Sequence, residues 1–239
     1  MNLRRLWCLR CLPSSCVRLN MESLQDIYNS LGDVYEVSEK IAPRPDFLPA
    51  LANLLVKHNL DKVYDIRLNH KHFDITGSEQ VVSFTGQGLL VSMVYSEGGL
   101  PIKLLAAEGI YPISHGAIRP SDLLVKDGAA IPYEFTYTTN NPPPEPSSEF
   151  LESWCSILRE EGVEGLLGLS IRDNGVPAIA HEVSDPENRV NRLVFGDDAP
   201  EGTSVIATTW RVLNVDGVVE AKKCTYCNNV REHWKQCEM

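Results

Sequence analysis

The sequence lacks several patterns that most directly identify a class of protein. No apolar run approaches the roughly 18 residues that a membrane-spanning helix needs, and the longest apolar segments, such as residues 88–95, have the length of a strand. The chain also lacks an N-x-S/T glycosylation site, G-x-S-x-G, G-x-x-x-x-G-K-S/T and G-x-G-x-x-G. The sequence therefore predicts a soluble globular protein without the best-marked hydrolase or nucleotide-binding motifs.

Cysteine is scarce in the body of the chain. Of the seven cysteines, six are grouped at the two ends and Cys155 lies alone between the groups. An odd total grouped in this way does not fit a disulfide framework, so we expect a reducing compartment and a cytoplasmic protein. Residues 1–20 contain four arginines and no acidic residue. This basic leader is interpreted as a disordered extension before Met21 or, alternatively, as a mitochondrial presequence.

Positive charge is unevenly distributed. The net charge is −10, but residues 21–220 carry −16, whereas residues 1–20 carry +4 and residues 221–239 carry +2. Because an acidic body repels phosphate backbones, the C-terminal tail is the only part of the chain at which nucleic-acid binding is expected.

Apolar periodicity predicts both helices and strands. Three amphipathic helices are expected to begin near Ser23, Asp46 and Ser147, because these capping residues precede apolar residues at helical spacing. Asp173-Asn174-Gly175 and Asp216-Gly217 are predicted hairpin turns. Residues 97–130 are expected to be loops around short elements. Strands are predicted over residues 63–73, 80–85, 89–95, 131–138, 166–172, 176–183, 190–195, 204–213 and 218–223.

These elements predict an α+β fold in which antiparallel β-sheet packs with about three helices. The proline-rich residues 140–148 form a linker between an N-terminal half, residues 21–139, and a C-terminal half, residues 149–223, which a tail, residues 224–239, follows. Residues 47–68 align without gaps on residues 150–171 in the order helix, turn, strand. This echo indicates either two similar helix-plus-strands halves or two unrelated helix–strand units, since every such unit shares the pattern.

Four potential metal ligands close the chain. Cys224, Cys227, His233 and Cys237 have the spacing C-x2-C-x5-H-x3-C, and zinc prefers four such N and S ligands in a tetrahedron. We expect the first two to share a tight turn and the last two to lie one turn apart on a short helix. The 14 residues resemble a zinc knuckle, whose pattern is C-x2-C-x4-H-x4-C, but His233 comes one residue later and the usual glycine is absent.

The tail is open to four interpretations. A structural zinc ion would fix the terminus in place of a hydrophobic core. The knuckle resemblance implies a nucleic-acid- or partner-binding module, for which Lys222 and Lys223 supply charge and Tyr226 and Trp234 supply stacking surfaces. C-x2-C is also a redox motif, although it normally opens a helix in a thioredoxin-like unit. In the fourth interpretation, the tail binds no metal and its cysteines are free thiols on a frayed terminus.

A second candidate site follows the first predicted strand. If that strand continues, His70 and His72 lie on the same face as Ile66, and two imidazoles at this spacing can reach one metal ion. Cupins and several hydrolases use such an H-x-H pair. His70, His72 and Asp74 also partly resemble the H-x-H-x-D-H motif of metallo-β-lactamase-like hydrolases, although Ile75 replaces the next histidine. The resemblance implies a metal-dependent enzyme; the alternative is a pair of histidines bonded to backbone or carboxylate groups at a strand end.

The expected function is therefore a non-catalytic protein whose tail is organised by structural zinc at Cys224, Cys227, His233 and Cys237. Two alternatives stand beside it. One is a metal-dependent, hydrolase-like enzyme centred on His70 and His72, and the other is a module that binds a protein or nucleic-acid partner through the basic, aromatic tail.

Overall fold

Four helices and ten strands make up the described part of the chain. A computed structural model describes residues 21–43, 47–86, 89–96, 116–172, 179–195 and 205–228. The helices are α1 (Met21–Ser30), α2 (Val34–Ile41), α3 (Phe47–Lys57) and α4 (Ser148–Glu160). The strands are β1 (Tyr64–Leu68), β2 (Gln80–Gly86), β3 (Leu89–Tyr95), β4 (Ala117–Lys126), β5 (Ala129–Thr138), β6 (Leu167–Ile171), β7 (Ala180–Asp185), β8 (Val190–Phe195), β9 (Val205–Val215) and β10 (Val218–Asn228).

The ten strands form one closed barrel in the order β1-β6-β4-β5-β2-β3-β8-β7-β10-β9, which the pairing of β9 with β1 completes. The β2–β5 and β7–β10 pairs are parallel and the other eight are antiparallel. The predicted α+β fold of antiparallel sheet with about three amphipathic helices is therefore wrong. The fold is a mixed β-barrel, mostly strand, with four short helices. No helix in the described ranges combines the length and apolar character that crossing a membrane requires.

Several predicted elements differ from the observed ones. β4 lies within residues 97–130, which were predicted to be loops, and β1 ends at Leu68 rather than continuing to residue 73. The predicted hairpin between residues 166–172 and 176–183 does not form, because β6 lies between β1 and β4 while β7 lies between β8 and β10. Its turn, residues 173–175, lies outside the described residues, as do residues 1–20.

The first predicted helix is divided into α1 and α2 at Asp33. The Asp33 carboxylate accepts hydrogen bonds from the backbone N–H groups of Tyr35 (2.9 Å) and Glu36 (3.0 Å), and Glu36 accepts from the Asp33 N–H (3.3 Å). This reciprocal capping box satisfies donors that the start of a helix would otherwise leave unpaired. The break therefore follows from a local cap that the apolar periodicity did not reveal.

The main apolar core lies between the helices and one side of the barrel. Side chains of α3 and α4, including Leu55 and Trp154, pack against Ile66, Leu169 and Trp210 from three neighbouring strands. Burying one large aliphatic or aromatic side chain contributes about 1.5–3 kcal/mol to folding. These contacts fix the helices on the outer face of β1, β6 and β9.

The opposite face of these strands is polar. Because side chains alternate along a strand, Arg67 points away from the helix-facing Ile66. It contacts Thr209 on β9, but also Asp122 on β4 and Glu182 on β7, which are not neighbours of β1. A side chain that reaches strands on both sides lies in the barrel interior, and this interior therefore contains buried charge.

The two helix–strand units that echo each other in sequence have matching backbone hydrogen bonds. Leu60 N donates to Leu55 O at 2.8 Å, and Val163 N donates to Leu158 O at the same distance. β1 and β6 pair antiparallel about the central pair Ile66 and Leu169, which are themselves equivalent in the alignment. The two units are thus related by an approximate two-fold axis.

The same symmetry extends to the strand order. Exchanging β1–β5 with β6–β10 leaves the cyclic order of the barrel unchanged, and it maps the parallel β2–β5 pair onto the parallel β7–β10 pair. The β4–β5 and β9–β10 hairpins both turn at Asp-Gly with positive φ at both residues, at Asp127-Gly128 and Asp216-Gly217. Strands from the two sides of residues 140–147 are hydrogen-bonded to each other in the β1–β6, β1–β9, β4–β6 and β3–β8 pairs.

Candidate metal centre

The segment after β1 is held in an irregular path by the end of α1. The Asn29 side chain donates to Ile75 O (2.8 Å) and accepts from Ile75 N (2.9 Å), while Lys71 N donates to Gly32 O (3.1 Å). Since β1 ends at Leu68, the expectation that the histidines extend the strand on the face of Ile66 is wrong. The segment instead turns both imidazoles toward buried groups of distant strands.

His70, His72 and Cys227 converge at this point. One ligand atom of each residue lies within 4.8 Å of the other two, in a group capable of holding a metal ion. His70 and Cys227 are buried, and the His72 side chain is only 2 % exposed. Cys227 lies near the end of β10, so the group joins chain positions more than 150 residues apart.

His70 presents one free nitrogen to the group. Its Nδ1 lies 2.8 Å from Leu68 O, an arrangement in which Nδ1–H donates to the carbonyl and Nε2 carries the lone pair. Nε2 is buried with no hydrogen-bond partner among the described residues, and it lies 3.5 Å from Glu182 Oε2. A histidine fixed through Nδ1 with a free Nε2 is the arrangement that metal-binding histidines commonly show.

His72 is held by two side chains of the β7–β8 hairpin. Ser184 Oγ donates to Asn191 Oδ1 (3.1 Å), so His72 Nδ1–H donates to Ser184 Oγ (3.0 Å) and Asn191 Nδ2 donates to His72 Nε2 (3.2 Å). Burial lowers the pKa of His72 to about 3, which the nearby Glu182 only partly opposes. The imidazole is therefore neutral, which is the form that binds metal ions, and a metal ion at Nε2 would replace the hydrogen bond from Asn191.

Cys227 stands beside Glu182. The two residues are register partners in the parallel β7–β10 pair, so their side chains leave the same face of the sheet. Burial raises the pKa of the Cys227 thiol well above its ordinary value, and Glu182 raises it further. Cys227 is a free thiol, as are Cys155 and Cys224.

Carboxyl groups outnumber guanidinium groups around this centre. Arg67 Nη2 donates to Glu182 Oε1 at 2.8 Å, and Arg67 Nε lies 3.6 Å from Asp122 Oδ1. Glu134 Oε1 lies 4.0 Å from His72 Nε2 and has no hydrogen-bond partner in the described ranges. Beside the histidines, three buried carboxyl side chains thus surround the guanidinium of Arg67, whereas the buried Asp65, farther along the same face of β1, pairs with Arg172 and Arg211.

The carboxyl groups differ in their electrostatic surroundings. Burial, and next the nearby Asp122, raise the pKa of Glu134 to about 8, so that this side chain is mostly protonated at neutral pH. Burial alone would also raise the pKa of Glu182, but the guanidinium of Arg67 holds it well below its ordinary value. Glu182 is therefore the ionised acceptor beside the histidines.

Comparisons with known proteins do not assign this centre. No protein-family model matches the chain, and no curated protein or solved structure is significantly similar to it. The chemistry of the site therefore carries the functional argument.

Of the four metal ligands predicted in the tail, only Cys224 and Cys227 lie among the described residues. Cys224 and Cys227 lie within the single strand β10 rather than in a tight turn, and the Cys224 thiol donates to Thr209 O at 3.5 Å. His233 and Cys237 lie outside the described residues, so zinc binding by the predicted set of four stays a prediction. Among the tail aromatics, Tyr226 stacks on His181 with ring centroids 5.5 Å apart.

Asp74 does not join the two histidines with which it was predicted. Its side chain is 71 % exposed and binds Lys71 Nζ at 2.7 Å. Conversely, the sequence patterns revealed neither the proximity of Cys227 to the histidines nor that of Glu182. An H-x-H pair and a distant cysteine in a β-strand were visible in the sequence, but no spacing rule joined them.

Proposed function

We propose that the protein is a metal-binding protein that holds one divalent ion, zinc foremost, at His70, His72 and Cys227. The observation that carries the proposal is the convergence of the three ligand atoms to within 4.8 Å. A tetrahedral zinc ion needs its N and S ligand atoms about 3.3–3.6 Å apart. Side-chain movements of about 1 Å would therefore complete the site, and rotamer adjustments supply movements of that size.

The donor types favour a particular class of ion. Thiolate and imidazole ligands select zinc and neighbouring transition metals, whereas magnesium and calcium require oxygen ligands. The thiol of Cys227 would give up its proton on binding, since metal-bound cysteine is a thiolate. The buried carboxyl groups of Asp122 and Glu182, with the one guanidinium of Arg67 between them, also favour a cation at this position.

Burial supports a structural role for the ion. Structural zinc sites are closed by protein ligands, whereas catalytic sites keep one position open to water. Here the ligands are buried, and they would join β10 to the segment after β1, with α1 packed against that segment. Because such a site does not exist in the unfolded chain, its binding energy would add directly to the stability of the fold.

The test is metal content with matched variants. The protein is purified without chelator, its zinc is measured by elemental analysis, and its affinity is measured by competition with a chromogenic chelator. We expect about one equivalent in the wild type, and a strong loss of affinity in Cys227→Ser and in His70→Gln. Cys155→Ser is the control, because this buried thiol packs in the helix layer and is not a member of the group.

Two outcomes would contradict the proposal. If the reduced wild-type protein binds no zinc, cobalt or copper, the three residues do not form a metal site. Zinc binding that survives His70→Gln but disappears in Cys224→Ser and Cys237→Ser would instead support the site predicted in the tail.

A hydrolytic role for the same ion is the second candidate. Glu134 favours it, because this buried carboxyl group lies beside His72 with an oxygen unpaired in the described part of the chain. Such a group can exchange protons with a metal-bound water. Zinc-dependent cleavage of simple aryl esters or phosphate esters that is lost in Glu134→Gln, with zinc content unchanged, would support this role; no turnover by the zinc-loaded wild type would exclude it for these substrates.

A further inference from the structure

We infer that Glu182 is the fourth ligand of this centre and closes it as a four-coordinate site of two nitrogens, one sulfur and one carboxylate oxygen. The inference rests on the proposed function, because it concerns the same ion. It adds the residue that decides whether the site is open to water and which metals it accepts.

Glu182 adjoins two of the three ligands. Its Oε2 lies 3.5 Å from His70 Nε2, which is close to the separation expected for two atoms bound to one tetrahedral zinc. Its backbone is the register partner of Cys227 in the neighbouring strand, so both side chains project from the same face. An ion that binds His70 Nε2 and Cys227 Sγ would therefore lie within reach of Glu182.

The remaining contacts of Glu182 suit a ligand. Its Oε1 accepts the hydrogen bond from Arg67 Nη2 at 2.8 Å, and Thr208 Oγ1 donates to Oε2 at 3.2 Å. Arg67 and Thr208 hold the carboxylate in one orientation, and an oxygen with a second lone pair remains on the side of the histidine. Partners that orient a ligand in this way typically change metal affinity by about 10–100-fold.

The other two carboxyl groups are less well placed. Asp122 faces Arg67 Nε at 3.6 Å, and Ser121 donates to its second oxygen at 2.9 Å. Glu134 lies beside His72 alone, with 4.0 Å between Oε1 and His72 Nε2. Glu134 therefore provides a matched control, since it is an equally buried glutamate that neighbours the same centre.

A carboxylate ligand also sets metal preference. Cu(I) prefers sulfur and nitrogen donors, whereas zinc and cobalt(II) accept a carboxylate oxygen readily. The closed set thus favours a divalent ion, and it leaves no coordination position for a small anion from solution.

Cobalt(II) substitution tests the inference in the intact protein. Four-coordinate cobalt with a thiolate ligand gives intense visible bands and a near-ultraviolet charge-transfer band. We expect this spectrum in the wild type, unchanged by added azide because the site is closed. Glu182→Gln should weaken zinc binding by at least about tenfold and make the cobalt spectrum azide-sensitive, whereas Glu134→Gln should do neither.

The outcomes separate the two proposals. A wild type that takes up cobalt and responds to azide has an open position, which overturns the role of Glu182 while metal binding stands. A folded Glu182→Gln protein whose zinc affinity and cobalt spectrum equal those of the wild type would likewise overturn the role of Glu182. If Glu182→Gln does not fold, two measurements on the wild type decide. One sulfur with three N/O neighbours in X-ray absorption, together with a cobalt spectrum that azide leaves unchanged, supports Glu182, because a bound water would exchange for azide; any other result overturns its role. Absence of metal binding in the wild type refutes the proposed function itself.

Discussion

Replacing the buried Arg67 by methionine should destabilise the metal-free protein severely. The guanidinium lies 2.8 Å from Glu182, 3.0 Å from the Thr209 hydroxyl and 3.6 Å from Asp122, and its side chain is 6 % exposed. Removing one partner of a buried ion pair costs about 3–5 kcal/mol, because the remaining charge keeps its desolvation penalty without compensation. The free energy of unfolding of a typical domain is about 5–15 kcal/mol, so Arg67→Met should remove a large part of the stability.

The measurement is urea unfolding at pH 7 in the presence of a chelator, followed by tryptophan fluorescence and circular dichroism. The double variant Arg67→Met/Glu182→Gln should recover part of the loss, because a neutral amide no longer needs the cation, and the coupling energy should reach about 1–3 kcal/mol. Arg159→Met is the control. Arg159 also binds a glutamate at 2.8 Å, but its side chain is 61 % exposed, so solvent screens the pair and the effect should be much smaller.

One result would refute this reasoning directly. If Arg67→Met lowers the free energy of unfolding no more than Arg159→Met does, the interior carboxyl groups do not depend on the guanidinium. They would then be compensated by water or by an ion, and the charge balance described for the barrel interior would be incorrect.

Two further perturbations address other contacts. Glu79, which accepts two hydrogen bonds from Arg189, has its pKa lowered to about 2, chiefly by the Arg189 side chain. Since the folded pKa lies below the ordinary value, Glu79 stabilises the fold above about pH 4.5, and this contribution disappears as the pH falls toward 2. Glu79→Gln should therefore be less stable than the wild type at pH 7, and the difference in unfolding free energy should be smaller at pH 3 in urea unfolding; a pH-independent difference would contradict the linkage. Gly168→Ala should lower stability by about 1–3 kcal/mol and weaken zinc binding, because the added Cβ would collide with Leu123 O and the side-chain amide of Asn69, the residue before His70. Wild-type stability and zinc affinity in this variant would show that the strands can separate locally without cost.

Local signals in the sequence predicted individual elements well. The apolar stripes after Phe47 and Ser147 became α3 and α4, and Asp216-Gly217 became the turn between β9 and β10. Each of these features depends on residues within one or two turns of one another. The turn at Asp127-Gly128 carries the same signal, but the surrounding residues 97–130 lack a clear apolar period, so it was missed.

Closure of the barrel could not be predicted in the same way. It depends on pairing β1 with β6 and β3 with β8, strands about 100 residues apart, and no local pattern specifies such partners. The group of His70, His72 and Cys227 could not be predicted for the same reason. His70 and His72 were singled out by their spacing, but Cys227 and Glu182 reach them only through the parallel pairing of β7 with β10. Cys227 was grouped instead with Cys224, His233 and Cys237, the potential ligands nearest to it in the sequence.

The approximate two-fold axis of the barrel has a consequence for stoichiometry. In the sequence alignment of the two halves, Asp173 is equivalent to His70 and Gly175 to His72, and the equivalence of the two Asp-Gly turns pairs Thr138 with Cys227. The sequence therefore supplies histidine and cysteine ligands in one of the two equivalent sets only. We therefore expect this centre to bind a single ion per chain. Titration should therefore end at one equivalent and not at two.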